Sequence, residues 1–452
     1  MTVYYWGILL AFSALMFVAS PRLRAAGRID QFFAARDSRG REVGLVLLSA
    51  SLLISWIFAK SIQNAADLGS RFGAPGGFAY ALYWLSIIVA GFAILGLRNQ
   101  GYASLHGFIT SRFGRAAFRL FALILVFRLW NEIWSNTIVV AAYFGPVGSP
   151  AYYASAWAAT ALILAYSLKS GLRSSILTDA VQMGLFAVLL LLILGLVLPA
   201  NDLRTLATTG SWTLAGGVDL VLVAMLQIWS YPFHDPVMTD RGFITDKKVM
   251  LRAFVLAGLA GVALILLFSA VGIHHRVAGL QGNSTAATAA AFGLPMLLMM
   301  NLIMLTSAAS TLDSTFASAA KLVAIELLPR AGGDRVTVGR IGMVALAAAG
   351  GLMVHADPSI LSATTVSGTM VMGLAPVFLL SRWRRAGAPS YYASVLVGLG
   401  FGTAFALKAI PFAIGTGRYG SLLWANLVGL ACCFLAYFLL AWLMPARRAV
   451  RD

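Results

Sequence analysis

The segment LTSAASTLDSTF, Leu305–Phe316, is the most informative part of this sequence for both fold and function. It lies inside a long apolar region that runs from about Pro295 to Leu328, yet it contains six hydroxyl groups and the carboxylate of Asp313. A hydroxyl or carboxylate without a partner is costly inside a lipid bilayer, because no water is there to solvate it. If this region crosses a membrane, its polar side chains therefore need partners.

The composition of the whole chain predicts an integral membrane protein. Of its 452 residues, 60% are hydrophobic and 11% are charged, and the mean hydropathy is +0.85. Soluble globular domains do not have such values, and apolar runs of membrane-spanning length recur along the chain. We predict an all-α polytopic fold with about 13 transmembrane spans, at residues 3–19, 44–69, 77–98, 117–142, 150–168, 176–199, 217–237, 249–275, 294–328, 337–354, 357–381, 389–409 and 420–444.

Membrane topology accounts for the formal net charge of +17. Of the 33 Lys and Arg residues, 25 fall in connections that follow odd-numbered spans, Arg241 among them, and five fall in the other connections. Lys60, Arg128 and Lys321 lie inside spans. The positive-inside rule then predicts an N-terminus outside and a C-terminus in the cytoplasm. The basic residues therefore give no reason to expect nucleic acid as a partner, whereas the lipid bilayer is an expected one.

The hydroxyls of the opening segment and its extension follow the spacing of one helix face, i, i+3, i+4 and i+7. The residues on this face are Ser307, Ser310, Thr311, Ser314 and Ser318. One interpretation is that small hydroxyl residues let helices pack closely and hydrogen-bond to each other. The other is a cation site, because hard monovalent cations prefer oxygen ligands. Asp313, at the edge of the face, favours the cation, since an intramembrane carboxylate usually marks a functional site.

A second carboxylate occurs in the segment SGLRSSILTDAVQ, Ser170–Gln182, where Asp179 enters the sixth predicted span. It could serve only to stabilise a helix N-terminus, where negative charge is favoured. Alternatively, Asp179 and Asp313 could hold a cation jointly, because neither carboxylate is expected to stay unpaired inside the bundle.

Several motifs resemble those of one transporter family. SAASTLDSTFASAAKLVAIEL is similar to the eighth core helix of the sodium/solute symporter family, and SGLRSSILTDAVQ to its GGL…TD..Q segment. RIDQFFAARDSRG resembles the family's DFFLAGR loop, and LHGFITSRFG its cytoplasmic RFG segment. YPFHDPVMTDRGFITDKKVMLRAF resembles the region that closes the first helix of the second repeat, with Asp240 and Arg241 where Gln-Arg is usual. The family includes sodium–glucose, sodium–proline and sodium–sialic acid transporters, and the resemblance extends from about Arg28 to Arg385.

This resemblance implies the LeuT-type architecture, in which two five-helix repeats of inverted topology each begin with a broken helix. The predicted organisation is one membrane domain, with a first helix and cytoplasmic loop (1–43), repeat 1 (44–199, spans 2–6), repeat 2 (217–383, spans 7–11) and two accessory helices (389–444). The expected breaks lie in SASLLISWIFAKSIQN and in WSYPFHDPV. Pro232 and Pro236 explain the second break, whereas the first follows from the resemblance alone.

The resemblance also implies ligands for one or two sodium ions. The family's main sodium site uses carbonyls of the first broken helix, and a carbonyl and two hydroxyls of the eighth core helix. The corresponding residues are Ala50, Leu53, Ser307, Ser310 and Thr311. Some members have a further sodium site nearer the cytoplasm, and the corresponding residues are Asp179, Ser310, Asp313 and Ser314. Asp313 stands where those members have a serine, so the two carboxylates could bind a second sodium ion or share a proton.

Basic residues inside predicted spans indicate where a solute could bind. A Lys or Arg at the centre of a membrane helix costs roughly 2.5–3.5 kcal/mol, so each needs a partner. Arg128 can pair with Glu132 at i+4. Lys60 can pair with a carboxylate such as Asp67 or Asp235, or face a carboxylate-bearing solute. Nearby aromatic residues could line a cavity, although packing would explain them equally well. The candidate solute-binding residues are Trp56, Lys60, Arg128, Tyr231 and His234.

We expect a sodium-coupled symporter that imports a small polar organic solute by alternating access. It should function as a monomer in the plasma membrane, which would be the inner membrane of a bacterium. A proton-coupled carrier that uses Asp179, Asp313 and His234 is one alternative. A transporter-like sensor is another, less favoured because no kinase, receiver or long extension follows the last span. An enzyme is not expected, since the sequence contains no nucleotide-binding loop, metal cluster or nucleophile–base motif.

Overall fold

The computed structural model describes residues 2–25, 27–330, 332–356 and 366–446, and in these residues the chain forms helices and no strands. A 3₁₀ turn, Leu82–Trp84, joins two helices of the first half into one long span. The helices of the first half are α1 (Thr2–Ala19), α2 (Arg28–Ala34), α3 (Leu45–Trp56), α4 (Ala59–Phe72), α5 (Ala74–Ala81), α6 (Leu85–Asn99), α7 (Leu105–Phe113), α8 (Arg115–Ala141), α9 (Pro150–Ser170), α10 (Leu172–Val197) and α11 (Leu203–Thr208).

The second half begins with a π-helical turn at Leu214–Val218. Its helices are α12 (Asp219–Gln227), α13 (Pro236–Arg241), α14 (Lys247–Val277), α15 (Ser284–Ala291), α16 (Leu294–Lys321), α17 (Arg335–Met353), α18 (Leu374–Leu379), α19 (Ala388–Ala406) and α20 (Gly420–Leu443). A π-helical turn, Leu322–Leu327, extends α16, and a 3₁₀ turn, Val354–Ala356, extends α17. Residues 366–370 are also helical.

Within the described residues, seven helices are long and apolar enough to cross a membrane alone, and the bent pair α3–α4 would be an eighth. The seven are Thr2–Ala19, Ala74–Asn99, Leu172–Val197, Lys247–Val277, Leu294–Leu327, Arg335–Ala356 and Gly420–Leu443. Helices α8, α9 and α19 reach 27, 21 and 19 residues but are less apolar or more charged. The predicted count of thirteen spans is therefore not confirmed, and the predicted span at 357–381 begins outside the described residues.

The order of elements after each broken helix is the same, as far as the chain is described. The first broken helix, α3–α4, is followed by the long α5–α6, the short α7 and the long α8, α9 and α10. The second, α12–α13, is followed by the long α14, the short α15 and the long α16 and α17, with 366–370 and α18 after them. Two repeats of one five-helix unit would have this order. The repeat limits 44–199 and 217–383 stay predictions.

Helix α16 occupies the middle of the bundle. It packs against α10, α8, α17, α9, α3 and α4, and every residue from Ile303 to Ala320 is buried. Helix α14 packs so closely on α4 that a Cβ at Gly272 would lie 1.8 Å from the carbonyl oxygen of Ala66. Small residues permit such backbone contact between membrane helices. The polar residues of the opening sequence segment are therefore enclosed by other helices.

Candidate functional site

The first expected helix break occurs without any Gly or Pro. Helix α3 ends at Trp56, α4 begins at Ala59, and the two are bent by 59°. Phe58 between them is extended, with φ −61° and ψ 151°. The first amides of a helix lack partners within that helix, and here the Lys60 amide donates to Oδ1 of Asn136 on α8 at 3.4 Å. A side chain from another helix thus supports the start of α4.

The second expected break also occurs and lies against the first. Helix α12 ends at Gln227, a 3₁₀ turn covers Tyr231–His234, and α13 begins at Pro236. Oδ1 of Asp235 accepts hydrogen bonds from two amides at the start of α13. Its other oxygen, Oδ2, accepts a hydrogen bond from Nε1 of Trp56 at 3.0 Å. Asp235 therefore both caps a helix and joins the two breaks.

Four charged side chains, which we call the charge cluster, meet at this junction: Lys60, Arg128, Glu132 and Asp235. Nζ of Lys60 donates to Oε1 of Glu132 at 2.7 Å and to Oγ of Ser135 at 3.0 Å. Arg128 forms an ion pair with Glu132, and its Nη2 donates to Oδ2 of Asp235 at 2.9 Å. All four residues of the cluster are buried, with side chains at most 2% exposed. Two cations and two anions thus neutralise each other.

The charge cluster shows which carboxylates the basic residues pair with. The predicted pair of Arg128 and Glu132 is confirmed. The alternative that Lys60 pairs with Asp67 is wrong: Lys60 binds Glu132, and Asp67 accepts hydrogen bonds from Gln63 at 2.8 Å and Ser284 at 2.5 Å. Seven residues along a helix are about 10.5 Å, so Asp67 lies too far along α4, and it is exposed there.

All five candidate solute-binding residues, Trp56, Lys60, Arg128, Tyr231 and His234, belong to this region. The ring of Tyr231 lies edge-on to Trp56 at 5.9 Å and to His234 at 4.8 Å, and the Arg128 guanidinium is 5.5 Å from its centroid. Nδ1 of His234 and the carbonyl oxygen of Tyr231 are 2.5 Å apart. The structure brings these residues together, and their contact with a solute stays a prediction.

The polar face of α16 links this helix to α3 and α10. Oγ1 of Thr311 donates to the carbonyl of Ser307 at 3.0 Å and lies 3.5 Å from the carbonyl of Ser55, near the end of α3. The hydroxyl of Ser310 donates to Oδ1 of Asp179 on α10. The carboxyl end of a helix carries partial negative charge. The end of α3 therefore presents oxygen atoms and negative potential to the polar face.

The residues of the predicted main sodium site lie on α3 and α16, which pack against each other. Leu53 and Ala50 belong to the last turns of α3, and the Leu53 carbonyl accepts the Ile57 amide at 3.0 Å. Carbonyl and hydroxyl oxygens are ligands that suit a hard monovalent cation. Oγ of Ser307 is buried and has no hydrogen-bond partner among the described residues. The donor types thus fit sodium, while the ligand assignment stays a prediction.

Arg241 lies inside the bundle, which corrects its assignment to a cytoplasmic connection. Its side chain is fully buried, and Nη2 lies 3.1 Å from Oδ2 of Asp179 and 2.7 Å from Oγ of Ser314. Its Nε donates to Oγ of Ser51 at 2.8 Å. The positive-inside rule considers position in the sequence, whereas α13 directs this side chain back among the helices. Arg241 stands at the Arg of the Gln-Arg pair that is usual in the family this chain resembles, and that position was the signal that could have set it apart from the other basic residues.

Asp313 has hydroxyl partners instead of a basic one. Its Oδ2 accepts hydrogen bonds from Tyr166 at 3.0 Å and Thr178 at 2.9 Å. Of the basic side chains that the structure describes, none forms an ion pair with Asp313, and Arg241 pairs with Asp179. Of these two buried carboxylates, Asp179 alone has a basic partner among the described residues, and the negative charge of Asp313 favours one more cation or a proton.

Comparison with known proteins identifies the fold. The sequence matches no protein-family model and no curated protein. The structure is similar to a Na⁺-coupled sialic acid symporter in a substrate-bound, outward-open state that reveals a novel Na⁺ site. The TM-score is 0.76, with 15% identity over 99% of each chain.

It is also similar to Mhp1, a nucleobase-cation-symport-1 family transporter, in a closed conformation with bromovinylhydantoin bound. The TM-score is 0.60, with 16% identity over 91% of this chain and 95% of Mhp1. For inward-facing Mhp1 the TM-score is 0.53, with 14% identity over 94% and 95%. Identities this low establish the fold and not the solute. The chain therefore has the LeuT-type fold of these transporters.

Proposed function

We propose that this protein is a sodium-coupled symporter that imports a small polar solute by alternating access. The observation that carries this function is the meeting of two broken helices at the buried charge cluster, beside the polar face of α16. Paired broken helices provide backbone and side-chain groups at the middle of a membrane bundle, where transporters bind solute and coupling ion. The likeness to a Na⁺-coupled sialic acid symporter supports the same function.

The proposed main sodium ligands are the carbonyls of Ala50, Leu53 and Ser307 and the hydroxyls of Ser310 and Thr311. Support comes from the oxygen donors on α16 and from the closeness of Thr311 to the end of α3. A second cation would lie at Asp179, Ser310, Asp313 and Ser314. The excess negative charge of the two carboxylates over Arg241 supports this second cation site.

A proton is the alternative to the second sodium ion. Asp313 favours it, because the described basic side chains form no ion pair with it, and its hydroxyl partners Tyr166 and Thr178 can accept a hydrogen bond from a protonated carboxyl group as well as donate to a charged one. Protonation would neutralise the remaining negative charge without any ion ligand. The transporter-like sensor has no comparable observation in its favour.

The solute is proposed to bind at the charge cluster, between the two breaks. Trp56, Tyr231 and His234 adjoin the cluster and would surround the solute. A carboxylate on the solute would suit Lys60 or Arg128, provided that Glu132 or Asp235 gives up its present contact. We further propose that the protein functions as a monomer in the plasma membrane, with its N-terminus outside and its C-terminus in the cytoplasm.

Uptake by purified protein in liposomes tests this function. Labelled solute pools should accumulate when sodium is added outside and should not accumulate with choline in its place. A pH gradient without sodium is the parallel arm, and uptake in that arm alone would support the proton-coupled alternative. Equal uptake with sodium, choline and a pH gradient would reject coupled transport altogether.

A further inference from the structure

The charge cluster contains acids and bases in equal number, which constrains the solute it can accept. Lys60 and Arg128 supply two positive charges, and Glu132 and Asp235 supply two negative charges. A solute with a single charge would open one of these ion pairs and leave one member unpaired, which is strongly unfavourable in a buried site. A zwitterion would offer a new partner to each member of the pair that it opens.

The two acids of the cluster lie on different elements of the fold. Glu132 bonds to Lys60 at 2.7 Å, pairs with Arg128, and accepts Nδ2 of Asn136 at 2.9 Å on its other oxygen. These groups all lie on α4 and α8. Asp235 reaches Arg128 from the second break, through one hydrogen bond of 2.9 Å. A movement of the second break would therefore open the pair of Arg128 and Asp235 and leave Glu132 in place.

Arg128 has a hydrogen-bonding edge that Asp235 fills only in part. Nε and Nη2 form the edge of a guanidinium that can bind a carboxylate through two parallel hydrogen bonds. Asp235 uses Nη2, while Nε is buried without a hydrogen-bond partner among the residues that the structure describes. Nε2 of His234, whose ring lies edge-on to Tyr231 at 4.8 Å, is likewise buried and unpartnered within that part of the chain. A solute carboxylate at this edge would satisfy both N–H groups of Arg128.

We propose that the charge cluster binds a compact zwitterion, of the α-amino acid or betaine class. The solute carboxylate takes the Nε and Nη2 edge of Arg128, and its ammonium group takes Asp235. Trp56 bonds to Asp235 and packs against Tyr231, so both rings are close enough to attract the cationic end of the solute. Lys60 and Glu132 hold Arg128 in position. This assignment rests on the proposed transport function for its site and specifies the class of solute.

Ligand pools of different charge test the assignment. Thermal unfolding of the purified full-length protein in sodium buffer would be measured with α-amino acids and betaines, with the corresponding amines, with the corresponding carboxylic acids, and with neutral sugars. Each pool is used at up to about 10 mM, above the usual range of substrate constants. The zwitterion pool should raise the unfolding temperature most. Its best member should bind about tenfold or more tightly than its amine or its acid, because each of these lacks one charge-assisted partner.

Asp235→Asn removes the charge proposed to bind the ammonium group and keeps the helix cap, because Asn caps a helix as well as Asp does. This variant should weaken zwitterion binding about tenfold or more and strengthen binding of the matched carboxylic acid, because the cluster then has an excess positive charge that a monoanion neutralises. Arg128→Lys keeps the charge and loses the two-pronged edge, so it should weaken zwitterions and acids alike. Asp219→Asn is the control, since Asp219 is a fully buried acid outside the cluster that accepts the Tyr419 amide at 2.6 Å.

Several outcomes would overturn the zwitterion assignment. They are stronger stabilisation by monoanions or sugars than by every zwitterion, no stabilisation by any zwitterion, and unchanged selectivity in both variants. Zwitterion binding without sodium-driven uptake would reject the coupling proposal and keep this one. Sodium-driven uptake of a sugar that no zwitterion inhibits would support the coupling proposal and reject the zwitterion assignment.

Discussion

Arg241 and Asp179 form an ion pair of 3.1 Å in which neither side chain is exposed. The pair joins α13, which follows the second helix break, to α10 in the first half of the chain. The same guanidinium bonds to Ser314 at 2.7 Å, and both Asp179 and Ser314 belong to the proposed second cation site. The fixed positive charge of Arg241 therefore lies among the residues proposed to bind a mobile cation.

Removal of Arg241 should leave a buried carboxylate without its counter-charge. We expect Arg241→Gln to lower the free energy of unfolding by about 3–5 kcal/mol, the usual effect of breaking a buried ion pair from one side. Sodium should stabilise this variant more than the wild type, because the ion can replace the guanidinium. Thermal unfolding in detergent at several sodium concentrations measures both effects.

The control for this prediction is Arg252→Gln, since Arg252 is exposed on α14. Adding Asp179→Asn to Arg241→Gln should recover part of the lost stability, because no unpaired charge is then left. Equal stability of Arg241→Gln and Arg252→Gln would show that the buried pair does not stabilise the fold.

Loss of one hydroxyl ligand should weaken sodium binding at the main site. Ser310→Ala and Thr311→Ala should each raise the sodium concentration for half-maximal uptake, with a cost of about 1–3 kcal/mol per lost polar partner. Ser318→Ala is the control, because Ser318 lies on the same helix face, is buried, and has no hydrogen-bond partner in the described part of the chain. Wild-type sodium dependence in both ligand variants would contradict the proposed main site.

Asp179 and Asp313 should determine the number of cations carried per solute. We expect two cations in the wild type and one in Asp179→Asn, because a single carboxylate beside Arg241 leaves no excess negative charge. The ratio of sodium flux to solute flux in liposomes measures this number. An unchanged ratio in the variant, or a ratio of one in the wild type together with proton uptake, would favour the proton alternative.

Lys60 should be needed for stability, because it pairs with Glu132 inside the bundle. Lys60→Met leaves Glu132 with fewer partners and should cost about 3–5 kcal/mol of unfolding free energy. Addition of Glu132→Gln should recover stability, whereas addition of Asp67→Asn should not, because Lys60 contacts Glu132 and not Asp67. Unfolding temperatures of the single and the two double variants decide this, and recovery with Asp67→Asn would contradict the observed pairing.

Interactions within one helix could be predicted well from the sequence. The polar face of α16 follows from helical spacing, and the pair of Arg128 and Glu132 from their i, i+4 relation. Pro232 and Pro236 predicted the second break from their missing amide hydrogens. Each of these features depends on residues that are close along the chain, so the helix period alone determines their relation.

Interactions between distant helices could not be predicted in the same way. The break after Trp56 has no Gly or Pro, and an amide at the start of α4 is bound by Asn136 of another helix. Lys60 had a candidate partner on its own helix, yet it binds Glu132 across the bundle. Arg241 looked like one of many cytoplasmic basic residues, and the direction of α13 brought it to Asp179.

The sequence by itself determined that the chain is an all-helical membrane protein, where its second break lies, and that one face of α16 is polar. Hydropathy, helix period and the positions of prolines are sufficient for this, since all three are properties of the local chain. Only the tertiary structure decided which buried charge neutralises which. A buried charge is stabilised by whichever opposite charge the packing of the helices brings within hydrogen-bonding distance, and that distance is not encoded in separation along the sequence.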